Sequence, residues 1–432
     1  MNYQQTLDFL YSQLPMFHRI GPAAYKANLD NTWALANHLG NPEKKFRSIH
    51  IAGTNGKGSV AHMLASVFQE AGYKTGLCTS PHLKDFRERF RVNGEMMPES
   101  YVTAFVESNM DFFRLIKPSF FEMTIAMTFA WFAEEKVDIA IIETGLGGRL
   151  DSTNIITPEL SVITNVGLDH MNLLGNTIED IAREKAGIIK PGIPAVAGKS
   201  RSEALEIFRD KARETGSDIF SADHNFDIEL KRFTSIDGNR IMEGIIHGKD
   251  RTIEFQCPLT GTYQLENICT VVQAVEVINQ AGRFSVSETA LQNGLKNVVK
   301  NTGMAGRWQV LSQNPLVICD TGHNADGMRS VVENIKLTPH KKLHFVLGMM
   351  NDKDVSGIFK LLPAENTQYY FCRPDVPRGL DVNILHNKAL ELGFTGEKFE
   401  SVKDALLQAK KKAAEDDLIF VGGSTFVVAE IV

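Results

Sequence analysis

Between residues 46 and 215, short apolar runs alternate with longer stretches whose apolar positions return every three or four residues. The short runs read as strands buried on both faces, and the longer stretches as helices with one buried face. The first run, around Phe46, Ile49 and Ile51, enters a glycine-rich turn. A helix follows, with Val60, Met63, Leu64, Val67, Phe68 and Ala71 on its buried face. The pattern predicts further strands over 74–79, 138–143, 160–165 and 193–198, and helices over 99–115, 119–135, 177–189 and 202–215. Strand alternating with helix in this way predicts a parallel sheet covered on both sides. Residues 1–45 read as mostly helical, broken by a loop at 17–22 and resuming over 25–39. Over 226–257 the period shortens to alternating runs around Asp237, Gly238 and Asn239, which reads as β-hairpins. A helix over 264–282 follows, and the pattern lapses over 296–306. Apolar strands over 316–319, 343–347, 369–372 and 418–421 then predict a second, smaller doubly wound domain.

The candidate chemistry gathers where strands end. Residues 50–59 read H-I-A-G-T-N-G-K-G-S. A strand, a glycine-rich turn, a lysine and a helix form the arrangement that cradles phosphate. Backbone N–H groups and the positive helix end face the anion, and Lys57 adds a charge. The standard G-x-x-x-x-G-K-[ST] pattern is not met: its first glycine would fall at Ile51, and Gly58 separates Lys57 from Ser59. This is a variant loop, and the plainer alternative is a strand–helix turn with a solvated lysine. The fold class is therefore α/β. A P-loop-type, mostly parallel sheet domain over 1–297 carries a small β insertion at about 225–260, and a smaller C-terminal doubly wound α/β domain spans 298–432.

In open α/β sheets ligands bind beyond the carboxyl ends of the strands. Ser80, His82, Glu143 and His170 all follow predicted strands at that edge. Glu143 occupies the position of a Walker-B-type Mg²⁺ group, and Mg²⁺ takes hard oxygen ligands. The glycines of T-G-L-G-G-R after it predict a mobile loop. Arg87, Arg89 and Arg91 would share one face of a strand. That face fits an anionic substrate and a solvated edge equally. Glu122, in an apolar helix, needs a partner for its carboxylate. Lys185 by itself reads as a surface lysine.

The bulk composition narrows the field. The chain has 432 residues, 43% apolar and 23% charged, with net charge −6, which argues against nucleic acid as the main partner. Its five cysteines are scattered without a C-x-x-C, which suits a reducing compartment better than a disulfide framework or a zinc site. No signal peptide or membrane span is expected, so the protein is expected to be cytoplasmic.

Taken in order, the motifs resemble those of the folylpolyglutamate synthase/dihydrofolate synthase family of the Mur-ligase superfamily. They are H-I-A-G-T-N-G-K-G-S (50–59), T-S-P-H-L (79–83), R-x-R-x-N-G (89–94), F-E-x-T (121–124), E-T-G-L-G-G-R-L-D-S-T-N (143–154), G-L-D-H (167–170), E-K-A-G-I-I-K (184–190), Y-Q-x-x-N (263–267), G-R-W (306–308) and D-T-G-H-N (320–324). The resemblance implies ATP binding by Gly53, Thr54, Asn55, Gly56, Lys57, Gly58 and Ser59, with Asn267, Arg307 and Asp320. It assigns Mg²⁺ to Ser80, Glu143 and His170. It makes Lys185 a lysine open to carbamylation, and groups Lys57, Lys185 and His323 as catalytic. His323 and Ser424 would hold the incoming glutamate. Pro22, Tyr25, His82, Phe120, Glu122, Thr124, Leu150, Asp151 and Ser152 would meet the pterin-bearing substrate.

The implied reaction is ATP-dependent joining of L-glutamate to dihydropteroate, to folate, or to both. A carboxylate is a poor electrophile, so it attacks the γ-phosphate to give an acyl phosphate. The glutamate amine then displaces phosphate. Such a reaction must bring ATP, pteroate and glutamate together, so domain closure is an expected step, and a monomer is the expected state. The competing readings are a Mur-type amino-acid ligase acting on a cell-wall precursor, and a P-loop ATPase switch.

Overall fold

The computed structural model describes residues 1–12, 28–236 and 239–432. They form two compact units. One comprises Met1–Arg232, Glu243–Cys257 and Gln264–Gly303; the other comprises Phe233–Met242, Pro258–Tyr263 and Met304–Val432.

The first unit is built on strands β1 (Arg47–Ala52), β2 (Thr75–Cys78), β3 (Phe90–Val92), β4 (Glu95–Met96), β5 (Ile139–Glu143), β6 (Leu160–Ile163), β7 (Ala195–Ala197) and β8 (Ile219–Ser221). They make one eight-stranded sheet in the order β4-β3-β2-β5-β1-β6-β7-β8. The pairs from β2 through β8 are parallel, and the β2–β3 and β3–β4 pairs are antiparallel. β1 lies in the middle and is fully buried after Arg47, because strands and helices cover it on every side. The turns that leave β1, β5 and β6 are therefore neighbours at one sheet edge.

Alternation along the strands divides the core in two. Cys78, Ala140 and Ile142 pack with Met123, Phe129 and Phe132 of the helix Phe120–Glu134. Ala52, Ile163, Ala195 and Ala197 pack with Ile181, Ala182 and Phe208 from the helices Ile178–Ala186 and Ser202–Thr215. A separate three-stranded sheet, β9 (Asp227–Ile236), β10 (Asn239–His247) and β11 (Thr252–Cys257), runs in the order β11-β10-β9 where hairpins are expected.

The second unit has β12 (Gln309–Gln313), β13 (Leu316–Asp320), β14 (Leu343–Gly348), β15 (Thr367–Cys372), β16 (Gly396–Phe399) and β17 (Leu418–Gly422), ordered β12-β13-β17-β14-β15-β16. All its pairs are parallel except β12–β13. Successive residues again face opposite cores. Ile318, Phe345, Leu347, Tyr369, Phe371 and Phe420 lie in one, and Val317, Cys319, Val346, Tyr370, Cys372 and Val421 in the other. A sheet with both faces apolar needs helices on both sides.

Several elements differ from the expectations. The segment holding Arg87 and Arg89 is the 3-10 helix Phe86–Arg89, and only Arg91 lies on a strand. The three arginines therefore share no strand face. A capping box closed by Asp85 and Glu88 starts that helical turn and overrides strand pairing. The half-exposed edge strands β8, β12 and β16 have no continuous apolar run to announce them. The loop expected at 17–22, and with it Pro22 and Tyr25, lies outside the described residues. Among those described, no helix is long and apolar enough to cross a membrane.

Tight packing also supports the helix after the glycine-rich turn. Gly294, on the helix Glu288–Lys296, lies so close to the Lys57–Glu70 helix that an added Cβ would overlap the Val67 backbone. The Gly294 carbonyl accepts a hydrogen bond from Ser66 Oγ at 2.7 Å. Gly294→Ala is expected to destabilise the first unit by about 1–3 kcal/mol. Urea denaturation with an unchanged m-value checks it.

Candidate active site

The glycine-rich turn is held from one side by the end of β6. Thr54 N–H donates to the Asn165 carbonyl at 3.0 Å, and Asn55 N–H donates to Asn165 Oδ1 at 2.8 Å. Thr164 Oγ1 donates to the Asn55 carbonyl at 2.6 Å. Thr54 Oγ1 accepts from Gly167 N–H and donates to the Gly167 carbonyl. Gly56 caps the following helix with φ of +85°, a conformation that costs a side chain strain. A Cβ there would also meet Asn267 Oδ1. Asn267 donates to Gln264 Oε1 at 2.7 Å, and Gln264 donates to Ser59 Oγ at 3.1 Å. Lys57 folds back to donate to the carbonyls of Gly53 and Thr54 at 3.1 and 3.3 Å. The structure thus brings together the loop residues and Asn267, and adds Asn165 and Gln264. Gln264 lies within the quoted Y-Q-x-x-N motif, which was the signal for it.

Beside this loop, Glu143 ends β5 with 4% exposure, and Ser80 N–H donates to its Oε2 at 3.2 Å. His170 follows β6 at φ +50°; its backbone N–H donates to Asp169 Oδ1 and its ring lies 4.0 Å from Asp169 Oδ2. Among the described residues, no set of three His, Cys, Asp or Glu side chains is gathered as a metal cluster. The donor chemistry nevertheless fits Mg²⁺. A buried carboxylate and a serine offer oxygen donors of the kind a hard cation that keeps part of its water shell would take.

Lys185 is not a surface lysine. It is 3% exposed, and its ammonium is held well below the usual lysine range. Burial is the main cause and the charge of Lys57 adds to it, against the opposing pull of Asp169 and Asp151.

The loop between β5 and the 3-10 helix Ser152–Ile155 packs against its surroundings and is not loose. A Cβ on Gly145 would meet the Phe121 ring at 2.5 Å, and one on Gly148 the Glu184 carbonyl at 2.8 Å. Asp151 is buried and accepts from Leu146 N–H at 2.8 Å and from Thr153 N–H at 3.0 Å. Ser152 is buried beside it, and Leu150 is half-buried.

Of the other expected substrate residues, Phe120, Glu122 and Thr124 share the helix Phe120–Glu134, and His82 lies in the turn after β2. Glu122 accepts from Ser119 N–H at 2.5 Å in a capping box, which supplies the partner its burial demands. Thr124 donates to the Phe121 carbonyl at 2.9 Å. Phe120 is core, with the Arg89 guanidinium 5.4 Å from its ring centre. Arg89 is itself buried, and its Nε donates to His82 Nδ1 at 2.7 Å. His82 is thereby fixed with its proton on Nε2. Burial lowers the Arg89 guanidinium to about 10.

In the second unit, Asp320 ends β13 and is buried. It accepts from Tyr263 OH at 2.5 Å, Trp308 N–H at 2.8 Å and Gly322 N–H at 2.8 Å. Burial raises its carboxyl against these hydrogen bonds and the nearby Arg307. Arg307 donates to Thr321 Oγ1. His323 Nδ1 donates to the Thr321 carbonyl at 3.0 Å, so the neutral ring carries its lone pair on Nε2. Ser424 follows the neighbouring strand β17 and accepts from Phe426 N–H at 3.1 Å. His323 and Ser424 thus leave adjacent strands at the same sheet edge.

A parallel sheet that delivers a phosphate loop, a strand-end glutamate and a buried lysine, with a separate doubly wound unit, defines a Mur-type ligase. The Mur ligase middle domain family matches residues 51–275, and the Mur ligase glutamate ligase domain matches residues 306–425. The dihydrofolate synthase/folylpolyglutamate synthase of Bacillus subtilis is 34% identical over 94% of each chain. The folylpolyglutamate synthase of Lacticaseibacillus casei is 31% identical over 100% of this chain and 98% of its own. The structure of E. coli FolC in complex with DHPP and ADP superposes with a TM-score of 0.85 at 29% identity, covering 100% of this chain and 97% of that one. The chain belongs to the folylpolyglutamate synthase/dihydrofolate synthase family.

Gly56→Ala introduces a side chain both at positive φ and against Asn267. It is expected to raise the KM for ATP by about tenfold or more. Steady-state titration of ATP at saturating co-substrates measures this.

Proposed function

We propose that the protein is an ATP-dependent ligase that joins L-glutamate to dihydropteroate and to reduced folate glutamates, a bifunctional dihydrofolate and folylpolyglutamate synthase. The observation that carries it is the phosphate loop beside Glu143 and the buried Lys185, in a chain matched along 94% of its length by a relative with both activities in its name. We read it further as a cytoplasmic monomer. Its cysteines are buried and unbridged, which suits a reducing compartment.

In this reading the substrate carboxylate attacks the γ-phosphorus of ATP, giving an acyl phosphate and ADP. The loop amides and Lys57 meet the negative charge of the transferring group. Ser80, Glu143 and His170 would hold Mg²⁺, which supplies further neutralisation of phosphate charge. Lys185, pushed toward its neutral form by its burial, is poised to add CO₂ at Nζ. The neutral amine attacks the CO₂ carbon, a C–N bond forms, one proton leaves the nitrogen, and an uncharged amine becomes an anionic carbamate. Asn267, Arg307 and Asp320 hold the nucleotide. Leu150, Asp151 and Ser152, with His82 and Phe120, meet the pterin side. Glu122 and Thr124 act by shaping their helix. His323 and Ser424 hold glutamate, and His323 Nε2 accepts a proton from its ammonium. The amine then attacks the acyl carbon, and phosphate departs.

ADP release is the direct test, with ATP, Mg²⁺ and L-glutamate and either dihydropteroate, tetrahydrofolate or no pterin. Stimulation by both pterins is expected. Release independent of either pterin would sink the proposal in favour of a switch ATPase or a cell-wall ligase. Glu143→Gln should lower kcat by about 10²-fold or more. Incubation with ¹³C-bicarbonate should give a carbamate NMR signal that Lys185→Ala abolishes.

A further inference from the structure

His50 sits on β1, three residues before Gly53, and is completely buried. It has no place in the chemistry above. Its Nε2 lies 2.8 Å from Thr153 Oγ1. Thr153 Oγ1 in turn donates to Asp151 Oδ1 at 2.5 Å. A hydroxyl has one proton, and this one is given to the carboxylate. Toward His50 the threonine oxygen can only accept, so His50 must carry its proton on Nε2. The hydrogen bonds therefore run in one direction, from imidazole to hydroxyl to carboxylate. His50 Nδ1 is left as a buried nitrogen with no protein partner. Burial, with the charge of Lys190, pushes the imidazole down to about 3, so the ring stays neutral near neutral pH.

The far end of this chain is Asp151, which gathers the glycine-rich loop. It accepts N–H groups from Leu146 and Thr153 and caps the 3-10 helix Ser152–Ile155. The near end is the strand that delivers the phosphate loop. β1 is also clasped in register, with His50 opposite Ile142 of β5 and Ser161 of β6. One side chain thus ties the depth of the ATP-side strand to the placement of Leu150, Asp151 and Ser152.

We propose that His50 is a positioning residue that, through Thr153, holds Asp151 and its neighbours in the geometry that seats the pterin substrate relative to the phosphate loop. The inference rests on the reading of Leu150, Asp151 and Ser152 as pterin contacts. It makes no claim on the chemical step.

The test compares His50→Leu, His50→Gln and Thr153→Val in the full chain, with Leu150→Ala as a control on the underlying reading. Glutamine places an N–H donor near the position of Nε2; leucine and valine each break the chain at one end. His50→Leu and Thr153→Val are expected to raise the KM for dihydropteroate about tenfold while the KM for ATP stays within about twofold, the scale of one lost buried hydrogen bond. The double variant should be no worse than either single one, because both remove the same link. His50→Gln should restore most of the loss, and ¹⁵N NMR should find His50 as the neutral Nε2–H tautomer. If His50→Leu does not fold, Thr153→Val against His50→Gln carries the same comparison. Equal rises in both KM values, or a glutamine variant as impaired as leucine, would overturn the inference. If Leu150→Ala raises the pterin KM and the relay variants do not, the inference fails and the pterin reading stands. If Leu150→Ala leaves that KM unchanged, the pterin reading fails and takes the inference with it.

Discussion

The clasp between the phosphate loop and the end of β6 is the constraint on which the first unit's chemistry depends. A loop that offers N–H groups to an anion cannot satisfy all its own polar groups internally. Here Asn165 and Thr164 take the loop's outer N–H and carbonyl groups, which leaves the first-turn N–H groups of the Lys57–Glu70 helix outside that clasp. The clasp exists because β1 lies between β5 and β6. The same adjacency places Glu143 on one flank of the loop and Asp169 with His170 on the other. Strand order, more than any single residue, assembles the site.

Two lysines then share a small space with two carboxylates, and burial makes them unequal. Lys57 satisfies its ammonium on loop carbonyls, whereas Lys185 is pushed toward its neutral form by burial and by Lys57 itself. Similar side chains are thereby driven toward different charge states by their surroundings.

Much of this was legible in the sequence because it depends on local pattern. Buried parallel strands announce themselves as apolar runs, and the turns that follow them carry the polar motifs. The glycine-rich turn, the strand that ends at Glu143 and the central strands of the second sheet could all be read in this way. What could not be read depends on partners distant in the chain or on short-range caps that compete with the longer pattern. Lys185 lies on an amphipathic helix and looks exposed until the loop from β5 covers it. Glu122 looks like an orphan carboxylate until its capping box with Ser119 is seen. The arginines at 87, 89 and 91 alternate as strand residues do, yet Asp85 and Glu88 wind that segment into a helical turn. Edge strands such as β8 and β16 are half-buried, so they lack the signal that identifies central ones.

The glycines after Glu143 suggest slackness on paper, but each is pressed against a neighbour: an aromatic ring at Gly145, the end of Leu174 at Gly147, a helix carbonyl at Gly148. Their contribution is the volume they leave unfilled. A mutational survey of the whole chain would therefore score them as intolerant as any residue that touches substrate, for reasons of space alone. Intolerance to substitution around this site would map the packing behind the loop as faithfully as it maps the reaction.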